Sequence, residues 1–361
     1  MPKIYLHHSC LFLNGNEIMP FKQKQGFQNK RFKVGILYNL PTKPPRGEAQ
    51  DFMAEAEVED QVTAVQDALE RLDFEYQLFP LKDDLIGFIK VLKLSKPDVV
   101  VNLCESVFGD SHLEMHVPSI LELLRIPYTG SSPLTLGLRL NKGLAKTIFK
   151  SNGIPTPEYQ VLSSFKEWKG DINYPLFVKP LMEDASVGIS RKKSYVRNDV
   201  ELKSQVEYIN KLYKQPALVE KYIPGREFNV AILGNEEPEI LPISEIVFGF
   251  SEEPKVVDYA AKWFTGSDED LKTTPVCPAK ISQYIKNKLE KVAIAAYKAI
   301  YCRDYARVDI RLNGEHPFVL EVNPNPDISH EAGFARALKA AGISFEDFVK
   351  KLILFALERK T

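Results

Sequence analysis

The chain has 361 residues, 44% hydrophobic and 26% charged, enough to bury a large core in two or three structural units. Its 47 Lys and Arg balance 48 Asp and Glu, so there is no electrostatic footprint for nucleic acid or an anionic membrane. The four cysteines, Cys10, Cys104, Cys277 and Cys302, lie far apart and form no CxxC pair, which argues against a zinc cluster and a disulfide framework and fits a reducing compartment.

Residues 1–30 read as a strand plus a loose segment and carry no functional signal. "MPKIYLHHSCLFL" has too short an apolar stretch for a signal peptide, and no run approaches a membrane span, so a cytoplasmic protein is expected. "FKVGILY" (32–38) reads as a strand and "PTKPPRGEAQ" (41–50) as a Pro/Gly-rich loop. Val62, Val65, Leu69 and Leu72 form one helical stripe. Strands at 74–80 and 97–103 follow, then helical character over 113–126, with Pro118 near its start or at a kink. This β-α-β alternation predicts a parallel, doubly wound unit to about residue 135.

The pattern then changes. "SPLTLGLRLNKGLAKTIFKSNGIPTP" predicts a helix stopping at Asn152-Gly153. Short strands are expected at 158–162, 175–180, 217–221, 227–233 and 240–247, interrupted by a helix near 199–213. Ile281, Ile285, Leu289, Val292, Ala296 and Ile300 mark the clearest helix, over 281–301. Strands at 305–312 and 317–323 are joined by a turn containing Asn313-Gly314, and helices close the chain.

The late strands carry charge where a core strand should not. Side chains two apart share a face, so Arg307 goes with Asp309 and Glu321 with Asn323. Buried charge needs a partner. An Arg307–Asp309 salt bridge is one solution. A divalent cation is the better one, because two carboxylates and an amide oxygen form a hard oxygen set suited to Mg²⁺. Such an ion keeps waters and binds phosphates, so phosphate binders belong nearby. Lys142, Lys179 at a strand end and the small-residue loop Asp184-Ala185-Ser186-Val187-Gly188 are the candidates. There is no GxxxxGK[ST] string. "ALVEKYIPGREFNVAIL" (217–233) could offer strand-end backbone groups to an adenine and Glu227 to a ribose, although taken alone it reads better as an ordinary hairpin.

Together these pieces resemble the ATP-grasp superfamily and, within it, the D-alanine–D-alanine ligase family. The likeness lies in "LNKGLAKTIFKSNGIPTP", "FVKP" with "SVGIS", "VEKYIPGREFNVAIL", "DYAAKW", "CPA" and "ARVDIRL…FVLEVNPNP", over roughly residues 97–357. It implies an α/β and α+β, ATP-grasp architecture with an N-terminal Rossmann-like domain (1–135), a central subdomain (136–225) and a C-terminal subdomain with the metal site (226–361). It implies that Lys142 and Lys179 bind the ATP phosphates, and that Ser186 and Gly188 belong to the loop closing over them. Glu220, Lys221 and Ile223 would meet adenine, the latter two through their backbones, and Glu227 the ribose. Lys262 would reach the γ-phosphate. Asp309, Glu321 and Asn323 would hold two Mg²⁺ ions, with Mn²⁺ as a substitute, and Arg307 would stabilise the tetrahedral intermediate. The implied activity is ADP-forming carboxylate–amine ligation through an acyl phosphate, on amino acids or related small molecules, by a homodimer with no nucleic-acid or membrane partner.

The sequence departs from the family on the substrate side. Ala185 stands where the loop's first serine is usual, and Trp263 where a tyrosine follows the loop lysine. The N-terminal Glu-Val-Ser motif is not recognisable around "AEAEVEDQ", which leaves Glu55 and Glu57 as weak candidates. Cys104-Glu105 replaces a His-Gly pair, "PNPDIS" replaces Thr-x-Pro-Gly, and Ala332 lies near the position of a substrate-carboxylate serine. Different substrates are therefore expected. Glu105, Trp263 and Asp327 are the substrate-side candidates; Glu105, where a strand meets the cleft, reads equally as a binder of a substrate ammonium and as a solvated loop carboxylate. The alternatives are a true D-alanine–D-alanine ligase, a ligase of a non-amino-acid carboxylate, and an idle ATP-binding regulator. His112 and His116, at i and i+4, read as a surface pair, Cys104 as a small buried thiol, and the Lys/Tyr-rich stretch 203–214 as a solvated helix face.

Overall fold

A computed structural model describes residues 32–359. Cys10 and the strand expected within 1–30 lie outside the described residues. Strands β1 (Lys33–Asn39), β2 (Glu75–Leu81) and β3 (Val99–Asn102) form a parallel sheet in the order β2-β1-β3. Both faces are covered, which is why "VGIL" is continuously apolar rather than alternating. Val34, Ile36, Val99 and Val101 pack with Val62, Val65 and Leu69 of helix Val58–Arg71 and with Phe348, Leu352 and Ile353 of the last helix, Phe345–Glu358. Leu37, Phe79 and Val100 pack with Phe88 and Leu92 of helix Leu85–Ser95 and with Val117 and Leu121. The expected helix over 113–126 is shorter: a 3₁₀ turn, Ser111–Leu113, precedes helix His116–Leu123, with Pro118 in its first turn.

Strands β4 (Tyr159–Leu162), β5 (Leu176–Pro180), β6 (Tyr195–Val196) and β7 (Ala217–Lys221) form an antiparallel sheet in the order β4-β7-β5-β6. Leu202, Val206 and Ile209 of helix Asp199–Tyr213 cover one face, against Leu176, Val178 and Val219. Strand alternation turns Lys179 and Glu220 to the other face. The expectation of a solvated 203–214 face needs correction. Lys203, Lys211 and Lys214 are exposed, but Tyr213 is buried and Tyr208 half-buried. Their hydroxyls donate to Asp51 (3.3 Å) and Glu48 (2.6 Å), at the end of the Pro/Gly-rich segment and just beyond it.

Strands β8 (Arg226–Leu233), β9 (Glu239–Ile240), β10 (Ser244–Phe248), β11 (Thr273–Val276), β12 (Tyr305–Asn313) and β13 (His316–Asn323) form a second antiparallel sheet, ordered β11-β10-β8-β12-β13 with β9 on β8. Helix Gln283–Ala299 covers its apolar face, Leu289, Ala293 and Ala296 packing with Phe228, Val230, Val308 and Ile310. A bulge between Asp309 and Ile310 sets Asp309 opposite Glu321 but Ile310 opposite Val319. Leu320 and Glu321 are therefore both on the face away from that helix, while Val319 and Val322 stay in the core.

One predicted helix is two. Asn141, in an extended conformation, ends helix Pro133–Leu140 and caps Lys142–Ser151 by accepting from the Leu144 amide at 3.0 Å. Among the described residues no helix is long and apolar enough to cross a membrane.

Candidate active site

The polar faces of the two antiparallel sheets, with loops from the first sheet, enclose a cavity of about 790 Å³. Its wall holds Lys142, Lys179, Ser186, Glu220, Lys221, Ile223, Glu227, Lys262, Arg307, Asp309, Glu321, Asn323, Glu105 and Asp327. Residues spread over more than two hundred positions thus meet at one place. Gly188 and Trp263 stand behind that wall.

At its floor, Glu220 is buried between two lysines. Lys179 Nζ is 3.3 Å from one carboxylate oxygen and Lys146 Nζ 2.9 Å from the other. Burial alone would raise Glu220, but the lysines outweigh it and hold the carboxylate below its usual range. Lys146, almost fully buried, is pulled down by burial and also donates to Thr156 Oγ1 at 2.9 Å. Lys179 is held up against burial by Glu220 and by Glu321, 3.8 Å away. Sequence reasoning missed Lys146. Its signal was the i, i+4 spacing from Lys142, which puts two lysines on one helix face. Lys142 Nζ donates to the Glu183 carbonyl and lies 3.3 Å from Asp184. Arg139, also missed, pairs with Asp184 and Glu114.

The loop 184–188 is shaped by left-handed backbone at Ala185 (φ 51°), Ser186 (φ 61°) and Gly188 (φ 73°). At Gly188 a Cβ would come within 2.5 Å of the Pro180 ring, so this position tolerates only glycine. The Ser186 hydroxyl donates to the Val257 carbonyl at 3.0 Å, and the Trp263 indole donates to the Ala185 carbonyl, also at 3.0 Å. Asp258 accepts from the Arg191 amide at 2.8 Å and caps the short helix Tyr259–Trp263. The same segment between β10 and β11 also forms helix Asp268–Leu271. The Trp263–Ala185 bond runs to a backbone carbonyl and so needs no hydroxyl at Ala185. Trp263, a substrate-side candidate in the sequence, is not part of the cavity wall: its ring packs beside Tyr259, with Lys262 Nζ 4.5 Å over it. Lys262 itself pairs with Glu57 at 2.9 Å.

On the face where metal ligands were expected, Arg307 and Asp309 form the two-pronged salt bridge weighed above, at 2.8 and 2.9 Å. Asn229 adds a 2.7 Å hydrogen bond to the same carboxylate. Glu321 is partly exposed, and Asn323 Oδ1 accepts from the Asn325 amide at 3.1 Å. Among the described residues no three His, Cys, Asp or Glu side chains cluster as a metal cage. Two carboxylates and an amide therefore fit only a cation that brings ligands with it, as Mg²⁺ does with water and phosphate.

Glu227 is buried and pairs with Arg311 at 2.9 Å; burial raises it and Arg311 opposes that. Lys221 donates its amide to the Glu158 carbonyl at 2.8 Å, so of its two backbone groups only the carbonyl is left for the expected adenine contact. Glu105 is not a solvated carboxylate. Its amide donates to Asn39 at 3.0 Å, its side chain accepts from Gln61 at 2.6 Å, and burial pushes it well above the usual range with help from Glu57. Asp327 accepts from the Ser329 amide at 2.7 Å. Cys104 is the buried thiol expected, donating to the Ser106 carbonyl. His112 and His116 do not share a helix face: His112 lies in the 3₁₀ turn, half-buried beside Asp110.

Residues 148–354 match the model of the family described as D-ala D-ala ligase C-terminus. An uncharacterized protein of Sinorhizobium fredii, y4sG, is 38% identical over 72% of this chain and 75% of its own. The D-alanine--D-alanine ligase of Desulforudis audaxviator is 33% identical over 67% of this chain and 77% of its own, and that of Chelativorans sp. 35% over 71% and 80%. Two crystal structures of D-alanine--D-alanine ligase from Bacillus anthracis, one complexed with ATP, have TM-scores of 0.73 and 0.70, with 24% identity over 90% of this chain and 97% of theirs. At that identity they speak for the fold.

Proposed function

Because the chain belongs to the D-alanine–D-alanine ligase family of ATP-grasp enzymes, and so is an ATP-dependent, ADP-forming ligase, we propose that it joins an amino acid carboxylate to an amine other than D-alanine. In the proposed reaction a carboxylate oxygen attacks the γ-phosphorus of ATP and ADP leaves. The amine nitrogen then attacks the acyl carbon of the acyl phosphate. Inorganic phosphate leaves with the electron pair of the broken C–O bond, and the ammonium proton goes to solvent.

The observation that carries this is the gathering of Lys142, Lys179, Lys262 and Arg307 on one cavity wall, each held by a carboxylate that phosphate oxygens can replace. We assign Lys142 and Lys179 to the phosphates and Lys262 to the γ-phosphate. The Lys221 carbonyl, Ile223 and Glu220 are assigned to adenine, and Glu227 to the ribose. Arg307 is assigned to the charge that develops on the acyl oxygen. Asp309, Glu321 and Asn323 would hold two divalent ions, which when bound neutralise the phosphates. The fastened loops 184–191 and 257–263 exclude the water that would hydrolyse an acyl phosphate. A cytoplasmic homodimer built of domains 1–135, 136–225 and 226–361 completes the proposal.

The departures around the substrate support partners other than D-alanine. The test is steady-state phosphate release, with mass analysis of product, for D-alanine against a panel of L- and D-amino acids and amines. The expected result is that D-alanine is a poor substrate. D-alanine outperforming the panel, with D-alanyl-D-alanine as product, would make this a cell-wall ligase. No ADP release with any pair would point to an idle regulator.

A further inference from the structure

Residues 41–51 follow β1, and Pro44, Pro45, Arg46 and Asp51 of this segment stand on the cavity wall. Its bonds reach well beyond the sheet it comes from. The Arg46 guanidinium takes Asp110 with both terminal nitrogens, one of them at 2.9 Å, and Glu183 with Nε at 3.3 Å. The Gly47 amide donates to the Leu212 carbonyl at 3.1 Å. Glu48 and Asp51 accept from the Tyr208 and Tyr213 hydroxyls, and the Gln50 carbonyl accepts from the Tyr259 hydroxyl at 2.5 Å. Gly47 has φ 94°, and a Cβ there would come within 2.4 Å of an Asp51 carboxylate oxygen. The segment is therefore a fitted strap and not a slack loop.

Two of its partners belong to the nucleotide side. Glu183, held also by Gln215 at 2.7 Å, starts the loop over the phosphates, and its carbonyl receives Lys142. Tyr259 opens the short helix that carries Lys262. The strap thus touches the elements that hold two of the lysines assigned to phosphate. Its prolines and Ala49 are half-buried or exposed, so hydrogen bonds and ion pairs hold it, and no apolar core does. Contacts of that kind open at low cost, because water replaces them.

We propose that the strap 41–51 latches the N-terminal layer to the two loops over the cavity when nucleotide is bound, and that Arg46 is its positioning residue. This rests on the ligase reading above. Nucleotide favours the latched form because phosphates that hold Lys142 and Lys262 keep Glu183 and Tyr259 where the strap meets them. The latched strap in turn steadies the loop over the phosphates and keeps water from the acyl phosphate. Arg46 joins the two sides in one side chain, Asp110 in the N-terminal layer and Glu183 in the loop. A guanidinium fork can span both, and an ammonium reproduces only part of that.

The experiment has one readout that needs neither turnover nor a variant. Amide hydrogen exchange over residues 44–52 is followed in the wild-type chain, alone and with the non-hydrolysable analogue AMP-PNP and Mg²⁺. Exchange should slow roughly fivefold or more on binding, and in Tyr259→Phe by less than about twofold. Wild type, Arg46→Gln and Arg46→Lys, each first checked for an unchanged melting profile, are then assayed with the best substrate pair from the panel above. In Arg46→Gln, kcat for the amide should fall roughly tenfold with KM for ATP within about threefold, and ADP released per amide should rise. Arg46→Lys should fall in between. Wild-type exchange indifferent to AMP-PNP overturns the proposal, as does an ADP-to-amide ratio in Arg46→Gln equal to wild type. Slowed exchange with no amide formed from any pair keeps the latch and removes the ligase. Amide formation with exchange unmoved does the reverse.

Discussion

Trp263 donates its indole N–H to the backbone carbonyl of Ala185 at 3.0 Å, fastening the short helix 259–263 to the loop 184–188. The bond spans two stretches nearly eighty positions apart and needs no hydroxyl at residue 185. Trp263→Phe keeps a ring beside Tyr259 and removes only the donor. A net hydrogen bond of about 1 kcal/mol predicts a loss of roughly threefold to tenfold in kcat. It also predicts more ADP released per amide formed, because a looser loop admits water. The ADP-to-product ratio measures this, and a ratio equal to wild type would sink the idea.

Lys146 and Lys179 share Glu220 but should fail differently. Lys146 is buried to 1% exposure, bonds to Thr156 and Glu220 and does not line the cavity, so Lys146→Met should lower stability by roughly 2 kcal/mol. Lys179 lines the cavity, and Lys179→Met should chiefly weaken ATP binding and abolish turnover. Denaturant melts and nucleotide titration distinguish them. A large stability loss in Lys179→Met with ATP affinity intact would make Lys179 a structural ion-pair partner.

The strand-borne part of the site was legible because strand alternation is rigid. Arg307 with Asp309 and Glu321 with Asn323 share a face in the structure as their spacing demands. The bulge that lets Val319 and Glu321 face opposite ways left no trace in the sequence, since it lies in the pairing of two strands. Helix-borne and loop-borne partners were less visible. Arg139 and Arg46 look like solvated cations until the fold puts acids beside them. The split at Asn141 was missed because the apolar pattern runs across it, and only the side-chain cap reveals the break.

Asp309→Asn together with Glu321→Gln should abolish turnover and remove the Mg²⁺ dependence of nucleotide binding. Asp309→Asn also releases Arg307 from its two-pronged bond. Titration of ADP with and without Mg²⁺ checks this. Product formed at a normal rate by the double variant would show that the metal assignment is wrong.

Glu114 gives a pH signature. Burial pushes its carboxyl up to about 7 from an ordinary 4.5, against the pull of Arg139. Between those values the folded protein holds a proton that the unfolded chain has released. The contribution is therefore full below about pH 4.5 and lost as pH rises through 7, roughly 3 kcal/mol over the window. Glu114→Gln should flatten this slope, measured as denaturation free energy at pH 5, 6, 7 and 8. A variant slope equal to wild type would refute the assignment.

The helix 345–358, late in the chain, packs Phe348, Leu352 and Ile353 against β1 and β3, which come early. During synthesis the first sheet leaves the ribosome with much of one apolar face lacking its cover. That sheet has to wait, exposed to chaperones and to other nascent chains, until about 240 further residues have followed β3. Both antiparallel sheets emerge with their own helices close behind and have no such delay. Completion of the N-terminal layer is thus tied to translation of the C-terminal end, and a ribosome that stalls late releases a chain whose earliest sheet is the part left open.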